Sequence, residues 1–99
     1  LKVILETCYL TDEEKRLACR MALDAKADFV KTSTGFGSGG ATLADVKLMK
    51  ECVQDKAKIK ASGGIRDYET AMQYVNLGVQ RIGTSNGIAI LKGEKGTGY

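Results

Sequence analysis

The sequence predicts an α/β fold made of four strand–helix units in the order βαβαβαβα, half of a (β/α)8 TIM barrel. Three observations carry this. Short β-type runs alternate with segments of helical periodicity, which implies parallel strands joined by right-handed crossovers. The strands place apolar residues on one face and charged residues on the other, as expected of a sheet covered by a single helix layer. Small-residue clusters follow the strand ends, where the active sites of such barrels lie.

The first strand is read over Lys2–Thr7, with Val3, Ile4 and Leu5 at its centre. Thr11 opens the first helix, and Glu14, three residues on, completes a capping-box pattern. Leu17, Met21 and Ala25 recur on one face of that helix. The second strand is read over Asp28–Thr32, and a loop containing Gly35, Gly37, Gly39 and Gly40 follows it. A helix from about Thr42 carries Val46, Met49 and Val53 on one face. The third strand, Lys58–Ala61, runs into Gly63-Gly64. Asp67 caps a third helix bearing Ala71, Met72 and Val75, and Gly78 stands where a C-terminal cap glycine belongs. The fourth strand is read over Gln80–Thr84, and a last helical turn or two over Ser85–Leu91. Residues 1–92 thus form the half-barrel, and residues 93–99 a flexible tail ending at Tyr99.

Alternation along the strands separates a half-barrel from a small doubly wound sheet. Val3, Leu5, Val30, Ile59 and Ile82 fall on one face. Lys2, Glu6, Lys31, Lys58, Lys60 and Arg81, with Ile4 and Phe29, fall on the other. A doubly wound sheet is apolar on both faces. A full barrel takes roughly 250 residues, and this chain of 99 supplies four units. Its parallel edge strands and charged inner face are therefore expected to meet a missing half-barrel or a second copy. The chain begins at Leu1 rather than Met and is expected to be a piece or a processed product of something longer.

Composition narrows the chemistry. Apolar residues make up 43% and charged residues 27%, with a net charge of +3, as in an ordinary soluble chain. No apolar run approaches the ~20 residues of a membrane span, no signal peptide is evident, and the location is expected to be cytoplasmic. The basic residues are scattered rather than gathered into a nucleic-acid patch, and a small anionic substrate suits the charge. Cys8, Cys19 and Cys52 fit no metal-ligand spacing and are read as reduced thiols. The absence of His removes Ser-His and Cys-His pairs and the commonest zinc ligand. No metal or cofactor is expected, which leaves Lys, Asp, Glu, Tyr and backbone groups for catalysis.

Lys31 ends the second strand and Lys60 the third, and each leads into a loop of small residues. Adjacent strands lie about 4.8 Å apart. Two ammonium groups at about that distance repel by roughly 3 kcal/mol at an effective dielectric near 20, or about two pKa units. One lysine of such a pair, ordinarily near 10.4, would be partly neutral near pH 8, and a neutral amine attacks a carbonyl where an ammonium does not. Gly35, Gly63-Gly64 and Gly83-Thr84-Ser85 gather at the same rim, where backbone N–H groups approach an anion closely. The last two barrel strands and a short helix form a recurrent phosphate site.

Lys-Thr-Ser-Thr-Gly at 31–35, Lys-Ala-Ser-Gly-Gly-Ile-Arg at 60–66 and Gly-Thr-Ser-Asn at 83–86 together resemble the deoxyribose-phosphate aldolases. The opening Lys-Val-Ile-Leu-Glu-Thr resembles that family's fifth strand, so the chain looks like the C-terminal half of the barrel, strands five to eight. The resemblance implies a class I aldolase that reversibly cleaves 2-deoxy-D-ribose 5-phosphate to acetaldehyde and D-glyceraldehyde 3-phosphate without a cofactor. It implies Lys31 as the Schiff-base lysine, Lys60 as the neighbour that controls its pKa and relays protons, and Tyr99 in proton transfer. Gly64, Gly83 and Ser85 would hold the phosphate, Gly35 and Gly63 would join them in the substrate site, and Thr32 would orient the substrate. The chain departs from some members at Phe36, where they have a basic residue, and at Asn86, where they have serine. The family's catalytic aspartate lies in the first half, and no residue here takes that role. A non-catalytic phosphate-binding or self-associating half-barrel is the alternative expectation.

Overall fold

The computed structural model describes residues 1–34, 37–84 and 87. Four parallel strands form one sheet in sequence order: β1 (Lys2–Ile4), β2 (Phe29–Lys31), β3 (Lys58–Ser62) and β4 (Arg81–Gly83). Three helices connect them: α1 (Asp12–Asp24), α2 (Leu43–Val53) and α3 (Tyr68–Asn76). A 3-10 turn over Thr7–Tyr9 intervenes after β1. Sequential order in a parallel sheet, with helices on one face, is the arrangement of a four-unit half-barrel. The last expected helix, over Ser85–Leu91, and the tail over 93–99 lie outside the described residues, apart from Gly87.

Each helix starts where a side chain can satisfy an orphan N–H. Thr11 and Glu14 form the expected capping box, with reciprocal bonds of 2.9 and 3.2 Å. Thr42 Oγ1 accepts from the Asp45 N–H, and Asp67 Oδ1 from the Thr70 N–H. At the far end of α3, Gly78 has φ +96°, a conformation that a side chain would strain. The core lies between sheet and helices. Val30 and Ile59 from the strands meet Val46, Met49 and Val53 from α2, all fully buried. Of the helical faces read from periodicity, that of α2 is the buried one.

Two helical faces differ from expectation. In α1 the buried positions are Lys15, Cys19 and Ala22, whereas Leu17 and Met21 are 51% and 62% exposed and Ala25 is exposed. In α3 Ala71 and Tyr74 are buried, while Val75 is exposed. The reason is geometric for α1. Among the described elements it packs mainly against α2, and no described element covers its side beyond the open edge of β1. An apolar groove of about 350 Å³ runs along that edge, lined by residues that include Val3, Ile4, Leu10 and Met21.

A buried ion pair joins α1 to α2. Lys15 Nζ lies 2.5 Å from Asp45 Oδ1 and 3.3 Å from Asp12 Oδ1. Hydrogen bonding to Asp45 raises the Lys15 pKa above the usual lysine value against the opposing effect of burial, and the charges of Asp45 and Asp12 add to it. Tyr74 of α3 has its phenol pKa raised by burial, and then by the Asp45 charge.

Candidate active site

The polar face of the sheet is built by strand register. Lys31 of β2 pairs with Lys60 of β3, which pairs with Arg81 of β4, so three cations form one row across three strands. The row below contains Lys2, Phe29 and Lys58. Alternation places both rows on the face opposite the buried Val30 and Ile59. The Arg81 guanidinium sits 4.4 Å from the centroid of the Phe29 ring, and Lys58 Nζ sits 5.7 Å from it, so the ring's electron-rich face attracts two of the crowded cations.

This crowding acts on Lys60. Its pKa is lowered, first by burial, then by the charges of Lys2 and Lys31, a hydrogen bond with Lys2, and the charge of Arg81. The ammonium form is disfavoured because it loses water while facing three other cations. The sequence reading paired Lys60 with Lys31 alone. Lys2 and Arg81 were on the same predicted face, but nothing local showed that their side chains would reach Lys60.

The rim above these rows is made of backbone. Gly63 and Gly64 have φ +89° and +75°, which turn the chain sharply after β3. The loop after β2 crosses to meet this turn. The Ala41 N–H donates to the carbonyls of Ser62 (2.8 Å) and Gly63 (3.2 Å). A Cβ at Gly40 would lie 2.6–2.8 Å from backbone atoms of Gly63, so only glycine fits this crossing. A Cβ at Gly83 would lie 2.3 Å from Ser62 Oγ, which is buried and has no hydrogen-bond partner among the described residues.

No protein-family model matches the chain. Individual proteins do. It is 60% identical to the deoxyribose-phosphate aldolase of Carboxydothermus hydrogenoformans over 94% of its own length and 41% of that protein's. It is 59% identical to that of Streptococcus sanguinis over 99% of its own length and 44% of the relative's. The chain is a homologue of the deoxyribose-phosphate aldolases. It spans about two fifths of the length of these relatives. Solved structures agree. "QR15, an Aldolase" superimposes with a TM-score of 0.87 at 52% identity, covering 92% of this chain and 41% of the other. The tetrameric deoxyribose phosphate aldolase of Aeropyrum pernix gives 0.83 at 36% identity, covering 92% and 39%.

Of the residues that the likeness to deoxyribose-phosphate aldolases marks, Lys31, Lys60, Gly63, Gly64 and Gly83 converge on one end of the sheet. Gly35, Ser85 and Tyr99, with Phe36 and Asn86, lie outside the described residues. Thr32 is fully buried. Its Oγ1 donates to the Ser62 carbonyl and accepts from the Ser62 N–H and from Ser33 Oγ, each at 3.1 Å. In place of an open hydroxyl for a substrate, Thr32 ties the end of β2 to the end of β3, and so ties the strand of Lys31 to that of Lys60. The described helices include none long and apolar enough to cross a membrane.

Proposed function

We propose that this chain supplies the Schiff-base half of a cytoplasmic deoxyribose-phosphate aldolase. The single observation that carries this is the register pairing of Lys31 with Lys60 at strand ends, in a chain 60% identical to an enzyme of that name. The Lys31 amine adds to the donor carbonyl and, with loss of water, gives an iminium. The iminium accepts the electron pair as the carbon–carbon bond breaks, or as an α-proton leaves, and an enamine results. Lys60, whose ammonium form is disfavoured by burial and by the neighbouring cations, takes and returns protons beside it. Backbone N–H groups at Gly64 and Gly83, with Gly35 and Ser85, hold the phosphate of 2-deoxy-D-ribose 5-phosphate, and Gly63, whose N–H donates to the Gly83 carbonyl at 3.4 Å, makes the turn beside them. Tyr99 joins the proton transfer.

Borohydride reduction in the presence of acetaldehyde, followed by peptide mass spectrometry, tests the reading. A two-carbon adduct on Lys31 is expected. A folded protein that gives no adduct, or gives it evenly on exposed lysines such as Lys56, points instead to a non-catalytic phosphate-binding half-barrel.

The open edge of β1 and the groove beside Met21 call for a further parallel α/β layer, either the missing N-terminal half-barrel or a second copy. Light scattering of the chain alone at micromolar concentration should give a mass of at least twice the 10.6 kDa monomer. Substituting Met21 by Lys or Glu should shift it toward the monomer, because a charge in that groove opposes burial. A monomer that buries the groove with nothing would contradict self-association and leave the missing half as the occupant.

A further inference from the structure

The N–H groups of Leu5 and Thr7 donate to the carbonyls of Lys31 and Thr32, both at 2.9 Å. Two steps along one chain thus match a single step along the other, which is a bulge with Glu6 as the extra residue. Glu6 has φ 56° and ψ 61°, the left-handed region that glycine adopts freely and a side chain does not. Strain of this kind persists where surrounding structure holds it, and bulges re-aim side chains beside functional sites.

The re-aimed carboxylate grips the segment that follows Lys31. Glu6 Oε1 accepts from the Thr34 N–H at 3.1 Å, and Oε2 accepts from the Thr34 hydroxyl. A Cβ at Gly37 would come within 3.1 Å of Glu6 Oε1 and 3.0 Å of Cys8 Sγ, so the loop packs directly on this rim turn. At its other end the same loop is fastened to Gly63 and Ser62. Lys31 therefore sits at the root of a strap held on the β1 side by Glu6 and on the β3 side by backbone.

We propose that Glu6 is a positioning residue for Lys31. Its carboxylate fixes residues 31–34 so that the amine meets a carbonyl in one geometry. The inference rests on the aldolase reading of the site. Glu6 acts through Thr34 and the backbone rather than on the reacting atoms.

The test compares Glu6→Ala, Glu6→Gly and Glu6→Gln with the unaltered chain. Two readouts are used: the rate of borohydride trapping at Lys31 across acetaldehyde concentrations, and amide hydrogen exchange at Thr34 and Gly37. Glu6→Gly removes the backbone strain together with the carboxylate, so its Tm should stay within about 5 °C of the parent. In Glu6→Ala and Glu6→Gly the saturating trapping rate should fall roughly 10- to 100-fold, with half-saturating acetaldehyde little changed. Glu6→Gln retains an acceptor for the Thr34 amide and should recover most of that rate. Exchange at Thr34 and Gly37 should quicken in the Ala and Gly variants. A well-folded Glu6→Gly that traps at the parent rate overturns the proposal. If the unaltered chain itself fails to trap acetaldehyde, the aldolase reading fails instead. The exchange measurement then still judges the strap, since unchanged protection at Thr34 and Gly37 would show that Glu6 holds nothing in place.

Discussion

Asp45→Ala is expected to destabilise the fold by about 3–5 kcal/mol, because it leaves the Lys15 ammonium buried without its principal partner. Lys15 and Asp45 side chains are only 10% and 12% exposed. Asp12 cannot take over, since its carboxylate is 3.3 Å from Lys15 Nζ and 72% exposed, a position where water screens the attraction. The loss is large against the roughly 5–15 kcal/mol that holds a domain together. Replacing both partners, Lys15→Met with Asp45→Leu, should restore most of it, because the pair repays its own desolvation poorly. Urea unfolding of the single and double variants measures this. The pH dependence has a definite sign. The folded pKa of Lys15 is raised, so the contribution is whole below the unfolded value of 10.5 and disappears as pH climbs through the folded value above it. Asp45→Ala should therefore cost less at strongly alkaline pH than at pH 7.

How much of this was readable beforehand depends on how local each cause is. Side-chain alternation in a strand is a two-residue property, so the placement of Lys31, Lys60 and Arg81 on one face, opposite Val30 and Ile59, followed from the sequence. The caps at Thr11 and Asp67 and the turn at Gly78 are set within a few residues and were legible too. The burial of Lys15 was not, because its partner is thirty residues away on another helix. The apolar stripe Leu17–Met21–Ala25 was legible as a stripe, yet its partner is not in the described chain, and the helix turns Lys15 and Cys19 inward instead. The bulge at Glu6 gave no signal, since glycine is the residue that announces a left-handed conformation. Thr32 was recognisable as a strand-end hydroxyl, but its capture by Ser62 depends on the relative heights of two strand ends, which no local pattern encodes.

Lys31→Met should abolish the acetaldehyde adduct outright, and Lys60→Met should slow adduct formation at Lys31 by about 10²–10⁴-fold, the range of a lost proton-transfer group. The first follows if Lys31 is the nucleophile, since Met keeps the bulk of the side chain and removes the nitrogen. The second draws on the cluster itself. Lys60 has its pKa lowered by burial and by Lys2, Lys31 and Arg81, so it reaches the neutral form at lower pH than a free lysine and can accept a proton there. The variants separate this from simple charge repulsion. Lys60→Arg retains a cation beside Lys31 without a group that titrates, so relay predicts that it is as slow as Lys60→Met. Pure charge tuning predicts instead that Lys60→Arg traps near the parent rate. Stability supplies an independent check of opposite sign to that of Lys15. Because the folded pKa of Lys60 is lowered, the unfolded chain binds its proton more readily, and stability rises as pH goes from the folded value toward 10.5. In Lys60→Met that rise should be diminished, and Lys2→Met should diminish it too by relieving one of the charges that causes it. If Lys2→Met leaves the alkaline rise untouched, the crowding of cations on this face of the sheet is not what disfavours the Lys60 ammonium.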